Sequence, residues 1–285
     1  MSLSITKVKE DSLKHTVSDI CDIYGYSRQS YYKRRNASYR KILMESIILE
    51  EVRVIRRRQP RIGVRKLYHK IKPGLLEMGY KFGRDQLFNL LRRENLLIRR
   101  RRKYIKTTNS RHRFLKYGNL LKELEIRRSN QVYVSDITYI RTIEGFCYLS
   151  LITDAGSRKI VGYHLSRDLG IKGCMCALRM ALRQVPKGIA LIHHSDRGIQ
   201  YCSYDYTDLL KKHGVRISMT EQNHVYENSL AERVNGILKE EFMLSETLAS
   251  YEVARSMVKE SIQIYNQERP HLSLNYETPE QRHAA

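Results

Sequence analysis

From Val132 to Ile140 the chain is apolar and largely β-branched, with one carboxylate, Asp136, in its middle. Such a run predicts a β-strand. Phe146–Thr153 and Arg158–Ser166 are strand-like too, separated by Glu144-Gly145 and Asp154-Ala155-Gly156-Ser157, both turn-like. An antiparallel meander follows from these three runs. Beyond it Ile171–Arg183 reads as helix, Ile189–His194 as a short buried strand, Tyr204–His213 as helix and Arg216–Met219 as strand, and a long helix opens near Glu227. The order β-β-β-α-β-α-β-α predicts an α/β domain, a mixed sheet of three antiparallel strands and later parallel additions, flanked by helices. Ser250–Ile264 reads as a further helix, followed from Tyr265 by an extended tail.

The first part of the chain has a helical texture. In residues 16–35, Val17, Ile20, Ile23 and Tyr24 form an apolar stripe, Gly25 can end a helix and Ser27 can cap the next. A helix-turn-helix has this pattern, and so has any small helical hairpin. A longer helix is expected over Tyr39–Arg58, stopped by Gln59-Pro60, and a third over Gly63–Lys72, ended by Pro73-Gly74. A fourth covers Arg84–Glu94 with Leu87, Phe88, Leu90 and Leu91 inward. It carries Arg84, Arg92 and Arg93, which makes it a candidate recognition helix within a second helix-turn-helix-like unit. The organisation expected is a small helix-turn-helix-like segment at 1–38, a basic helical DNA-binding region at 39–106, a linker at 107–129, a catalytic core at 130–248 and a C-terminal helix and tail at 249–285.

Charge sharpens this division. The net charge is +22, and residues 1–128 hold 34 Lys and Arg against 12 Asp and Glu, leaving 18 of each sign in residues 129–285. A basic module joined to a neutral one points to a polyanion, and double-stranded DNA is the natural partner. Arg99, Arg100, Arg101, Arg102 and Lys103 are too charged to pack and suit phosphate contact. A membrane partner is not expected: no apolar run approaches spanning length, and the basic half lacks a helix faced with large apolar residues. Residues 1–11 do not read as a signal peptide, and five cysteines without a Cys-x-x-Cys pair read as reduced thiols, which together place the protein in the cytoplasm.

The candidate chemistry lies in three acids. Asp136 sits mid-strand, Asp196 follows a strand in His193-His194-Ser195-Asp196-Arg197-Gly198, and Glu232 stands 35 intervening residues further on, in a helix. An Asp at a strand end is commonly a turn residue and a Glu early in a helix complements its dipole, but a carboxylate inside an apolar strand is costly without a purpose. If the first and fourth strands are neighbours, the aspartates converge. Carboxylates gathered there repel one another unless cations neutralise them, and Mg²⁺ or Mn²⁺, as two ions, suits such oxygens and in-line phosphoryl transfer. Asp154 competes as a ligand but reads better as a turn residue. His193 and His194 have no third His or Cys at a useful spacing, which favours a structural role or a substrate contact. Asn228, four residues before Glu232, shares its helical face and is a candidate DNA contact.

The joint pattern Asp136-Ile-Thr-Tyr-Ile, His194-Ser-Asp-Arg-Gly, Glu232, Tyr265-Asn266…Arg269-Pro270-His271 and Ser273–Pro279 resembles the OrfB-type transposases of a large bacterial insertion-sequence family. Gly83-Arg84-Asp85…Leu96–Arg102 is similar to that family's helical segment before the core. The resemblance implies a retroviral-integrase-type catalytic core with a ribonuclease-H-like fold, in which Asp136, Asp196 and Glu232 form the Asp-Asp-Glu metal-binding triad. It implies cleavage at element ends to free a 3′-OH, attack by that hydroxyl on another phosphodiester, a homo-multimer on DNA, and an upstream-frame (OrfA-type) protein or fusion. Tyr133 stands where the family has Trp, Glu227-Asn228-Ser229 where it has Asp-Asn-Ala, and there is no heptad run of leucines. Two other readings are a metal-dependent nuclease on the same core and a non-catalytic DNA-binding regulator of the element.

Overall fold

A computed structural model describes residues 16–98, 113–221 and 228–285. Arg99, Arg100, Arg101, Arg102 and Lys103 lie outside the described residues. Two compact units are formed, one from residues through Ile55 with Lys70–Leu96, the other from Arg56–His69 with Leu97–Ala285. Among the described residues no helix is long and apolar enough to cross a membrane.

The first unit is helical. Thr16 caps α1 (Val17–Ile23) in a capping box with Asp19, and Gly25, at φ +68°, makes the left-handed turn that only glycine adopts freely. The next helix, α2, is a single span of 31 residues, Arg28–Arg58, where two helices are expected from sequence. Ser27 accepts from the Ser30 amide at its start, and Asn36-Ala37-Ser38 contains no residue able to break it. Helix α3 (Val64–Glu77) likewise runs through Pro73 instead of ending there. Proline costs one backbone bond, but Leu67, Ile71 and Leu75 recur every four residues and are all buried. The end is set by Gly79 at φ +74°, with the Tyr80 amide reaching back to the Leu75 carbonyl. In α4 (Arg84–Arg93) Leu87, Leu90 and Leu91 are buried, whereas Phe88, expected inward, is exposed beneath the Arg92 guanidinium.

The second unit is built on a five-stranded sheet in the order β3-β2-β1-β4-β5, from β1 (Val132–Thr142), β2 (Gly145–Asp154), β3 (Ile160–Ser166), β4 (Ile192–Ser195) and β5 (Arg216–Met219). β1, β2 and β3 are antiparallel, and β4 and β5 add parallel to β1. This is the expected ribonuclease-H-like mixed sheet. Helices cover both faces: α5 (Ile171–Leu182) and α7 (Tyr204–Lys212), after the single turn α6 (Ile199–Cys202), pack with Tyr133, Ile152 and Val161. On the opposite face α8 (Ser229–Glu241) and α9 (Tyr251–Gln267) pack with Ile140, Leu149 and Leu151. Leu151 and Ile152, adjacent on β2, thus serve opposite layers, and burial on both faces is why these strands read as apolar runs instead of alternating.

The C-terminal motif is part of this core. Tyr265 Oη donates to the Arg158 carbonyl at 3.0 Å, and the Asn266 amide pairs with Ile160, accepting from its N–H at 2.9 Å and donating to its carbonyl at 3.0 Å. A side-chain amide therefore satisfies backbone at the start of β3. The tail is not extended: a 3₁₀ turn at Leu272–Leu274 leads to α10 (Pro279–Ala284). Thr278 and Gln281 close a capping box there, with Pro279 at the first helical position.

Candidate active site

The parallel pairing of β1 with β4 ends at Ser135 opposite Ser195. Asp136 is the next residue of β1 and Asp196 the first after β4, so the two lie near one another where the pairing stops, close enough for their charges to interact. β4 cannot accompany β1 further, and β1 continues alone on that side through Thr142. Asp136 Oδ1 accepts from the Ile137 amide at 2.9 Å and Oδ2 from Asn235 Nδ2 at 2.7 Å. Asp196 Oδ1 accepts from the Gly198 amide at 2.9 Å. A Cβ at Gly198 would lie 2.9 Å from that same oxygen, so a side chain there would press on the Asp196 carboxylate.

Helix α8 crosses these strand ends and carries Glu232 in its first turn. Two amides tie it to β1: Asn228 Nδ2 donates to the Ser135 carbonyl at 3.0 Å, and Asn235 to Asp136. Asn228 is buried and its amide nitrogen is used by the fold; among the described residues its Oδ1 has no hydrogen-bond partner. Burial pushes the Asp136 carboxyl up to about 7, with the Asp196 charge adding to this, against the Asn235 and Ile137 bonds that favour the ionised form. Glu232, although exposed, is also raised, by partial desolvation and then by Asp196. No ion pair to Asp136 or Glu232 occurs among the described residues. The donor set is therefore oxygen-only and anionic, which fits a hard divalent cation. No three acidic, His or Cys side chains stand close enough to form a complete ligand set among the described residues.

The neighbouring polar residues have structural duties. His193 Nε2 lies 2.6 Å from Ser135 Oγ and 3.0 Å from Tyr206 Oη, fully buried, and desolvation pushes it down to about 3, so it is neutral. His194 Nδ1 meets Ser218 Oγ at 2.8 Å. Asp154 accepts from the Asn130 and Ser157 amides and organises the turn after β2, apart from the other acids.

An integrase core domain family matches residues 126–224, and a second integrase core domain family matches residues 213–279. An insertion element IS600 uncharacterized 31 kDa protein of Shigella sonnei is 36% identical, over 91% of this chain and 96% of that protein. The chain belongs to the insertion-sequence transposases with a retroviral-integrase-type core. The transposase InsF for insertion sequence IS3A of Escherichia coli (strain K12) is 29% identical over 96% of both chains. Among solved structures, the HTLV-2 integrase catalytic core in complex with magnesium is 17% identical, covering 55% of this chain and 97% of that one, with a TM-score of 0.44. A simian T-cell lymphotropic virus intasome chain is 18% identical, covering 78% and 75%, with a TM-score of 0.48.

Asn235 and Lys239 of this transposase were not singled out from sequence. Both lie on α8, three and seven residues after Glu232, spacings that return to one helical face. Burial lowers the Lys239 ammonium, opposed by the Asp136 charge. The candidate recognition residues of α4 are partly engaged within their own unit. Arg93 pairs with Glu45 at 2.7 Å and Glu94 at 3.0 Å, Arg84 with Asp85 at 2.9 Å, and Arg92 stacks on Phe88.

The Asn235–Asp136 bond has a testable consequence. Without metal, the folded chain holds the Asp136 proton more tightly than the unfolded chain. That contribution to stability is complete below the ordinary carboxylate pKa and is lost as pH rises through about 7. Removing the amide that favours the ionised form raises the pKa further. In the metal-free chain Asn235→Ala is thus expected to move the Asp136 titration to higher pH. An Asp136 carboxyl that titrates at the same pH in both proteins, followed by carbon NMR without metal, would refute this role.

Proposed function

We propose that Asp136, Asp196 and Glu232 are the metal-binding acids of a strand-cutting and strand-joining reaction on the ends of a bacterial insertion element. The observation that supports this best is the β1–β4 register, which sets Asp136 beside Asp196 and lets α8 close over them through Asn228 and Asn235. Mg²⁺ or Mn²⁺, as two ions, would supply an activated nucleophile and stabilise the leaving oxygen. The chain's contribution is to hold the carboxylate oxygens oriented, with Asn235 fixing one oxygen of Asp136 and the Gly198 amide one of Asp196. In the first step a water oxygen bonds to phosphorus at the element end and the P–O3′ bond breaks, freeing a 3′-OH and leaving a 5′-phosphate. In the second that hydroxyl attacks a target phosphodiester; a new P–O bond forms and the displaced target strand leaves with its own 3′-OH.

DNA delivery falls to the basic first part of the chain, with Arg84, Arg92, Arg93 and the run Arg99–Lys103 as phosphate contacts. Two ends must meet for joining, so the working form is a multimer on DNA, and an upstream-frame protein or fusion is a further partner. The test incubates the chain with short duplexes from both element ends in Mg²⁺ or Mn²⁺, beside Glu232→Gln. Nicking and joined products from the wild type alone support the reading. Cutting without joining makes it a nuclease, and binding without cutting, even with the upstream-frame protein present, makes it a regulator.

A further inference from the structure

Helix α8 is held at both ends, and the second hold has no part in the metal chemistry. Glu241, its last residue, lies nine residues after Glu232, a spacing that turns it to the opposite side of the helix. Its carboxylate is gripped from two directions. Arg269 of the C-terminal motif donates from Nε to Oε2 and from Nη2 to Oε1, both at 2.8 Å, a bidentate pair. Lys66 Nζ meets Oε1 at 2.5 Å. The Glu241 backbone carbonyl accepts from the Arg61 amide at 3.1 Å. All three ionic side chains are largely buried, at 5% exposure for Arg269, 10% for Lys66 and 19% for Glu241. Residues 56–69, which carry Arg61 and Lys66, belong to the same compact unit as the sheet and α8.

Such a cluster is a poor choice if stability alone is needed, because well-packed apolar residues of similar volume generally do as well or better. What it adds is direction. Val234 and Leu238 pack α8 against the sheet, a contact that tolerates small slides and rotations, whereas a bidentate guanidinium fixes one orientation. A small rotation at Glu241 becomes a displacement of Glu232, because the helix moves as a rod. We propose that the Lys66–Glu241–Arg269 cluster is a positioning device that sets the rotation of α8 and so the place of Glu232 beside Asp136 and Asp196. This rests on Glu232 being a metal ligand, as proposed above. It also gives a purpose to the Arg269 motif and to the turn between α2 and α3, which otherwise touch none of the reacting atoms.

The test replaces the charges by apolar side chains in one full-length variant, Lys66→Met, Glu241→Leu and Arg269→Met, and measures Mn²⁺ binding from the free-ion electron paramagnetic resonance signal, thermal midpoint, DNA affinity and end cleavage. The expected result is a folded protein melting within a few degrees of wild type, with DNA affinity within about twofold, at least about tenfold weaker Mn²⁺ binding and at least about tenfold slower cleavage. A folded variant that binds Mn²⁺ and cleaves within about twofold of wild type overturns the proposal. Should the triple variant not fold, Arg269→Lys keeps the charge but loses the bidentate grip, and the same criterion applies to it. Glu232→Gln runs alongside: if it binds Mn²⁺ and cleaves normally, the triad reading itself fails. If it is inactive while the cluster variants behave as wild type, only the positioning role fails.

Discussion

Glu232→Gln is expected to lower end cleavage and strand transfer by at least about a thousandfold, about 4 kcal/mol in activation free energy, with DNA affinity and thermal midpoint unchanged. The separation of these readouts follows from where Glu232 stands. It is exposed in the first turn of α8, and the buried residues there are its neighbours Ala231, Val234 and Asn235. An isosteric amide therefore disturbs no packing, and one fewer negative charge does not weaken attraction for a polyanion. On the proposed triad, what changes is the ability to bind a divalent cation. Asp136→Asn makes a sharper contrast. It removes a half-buried carboxylate whose pKa burial has pushed up to about 7. At pH 8 that charge is destabilising, so the variant is expected to melt above wild type while losing cleavage as completely. Functional sites carry this kind of strain, and relieving it trades activity for stability. A variant series in which cleavage falls in proportion to thermal midpoint would contradict both expectations.

The places of the three acids in the fold were legible because their surroundings are local. A carboxylate inside Val132–Ile140 and another after a short apolar strand are placed on the sheet by those runs, and the helix carrying Glu232 follows from its own periodicity. That the two aspartates are neighbours depends on β4 joining β1, which no local pattern reveals. Asn235 was within reach, since the spacing from Glu232 is helical, but its partner across 99 residues was not. The helices were misjudged where local breakers were weak or overridden: Asn36-Ala37-Ser38 does not interrupt α2, and Pro73 sits inside α3 because the buried stripe through Ile71 and Leu75 outweighs one lost bond. The tail was least legible of all. Tyr265, Asn266 and Arg269 answer to Arg158, Ile160 and Glu241, groups a sequence cannot place beside them.

The second large effect concerns the sheet behind the aspartates. Gly162→Val is expected to destabilise the second unit by about 3 kcal/mol or more, lowering its midpoint by about 6–12 °C, with cleavage lost as that unit unfolds. β3 meets α5 without room for a side chain: a Cβ at Gly162 would fall inside the van der Waals envelope of the Ala177 carbonyl oxygen and 3.0 Å from the Ala181 Cβ. The helix answers with small residues, Gly173, Cys174, Ala177 and Ala181, all buried, so the close approach is built from both sides and cannot be relieved by turning one flexible side chain. Two branched methyl groups must displace backbone, and a close-packed interior transmits that displacement across β2 to β1. Gly236→Ala is the counterpart. Gly236 lies within α8 with nothing within 4 Å of an added Cβ, so the methyl group is expected to stabilise by about 0.5–1 kcal/mol through helix propensity alone. Calorimetric midpoints for the pair decide the matter. A mild Gly162→Val would mean that α5 can lift from the sheet, and the aspartates would then rest on a softer support than the packing of α5 against β3 implies.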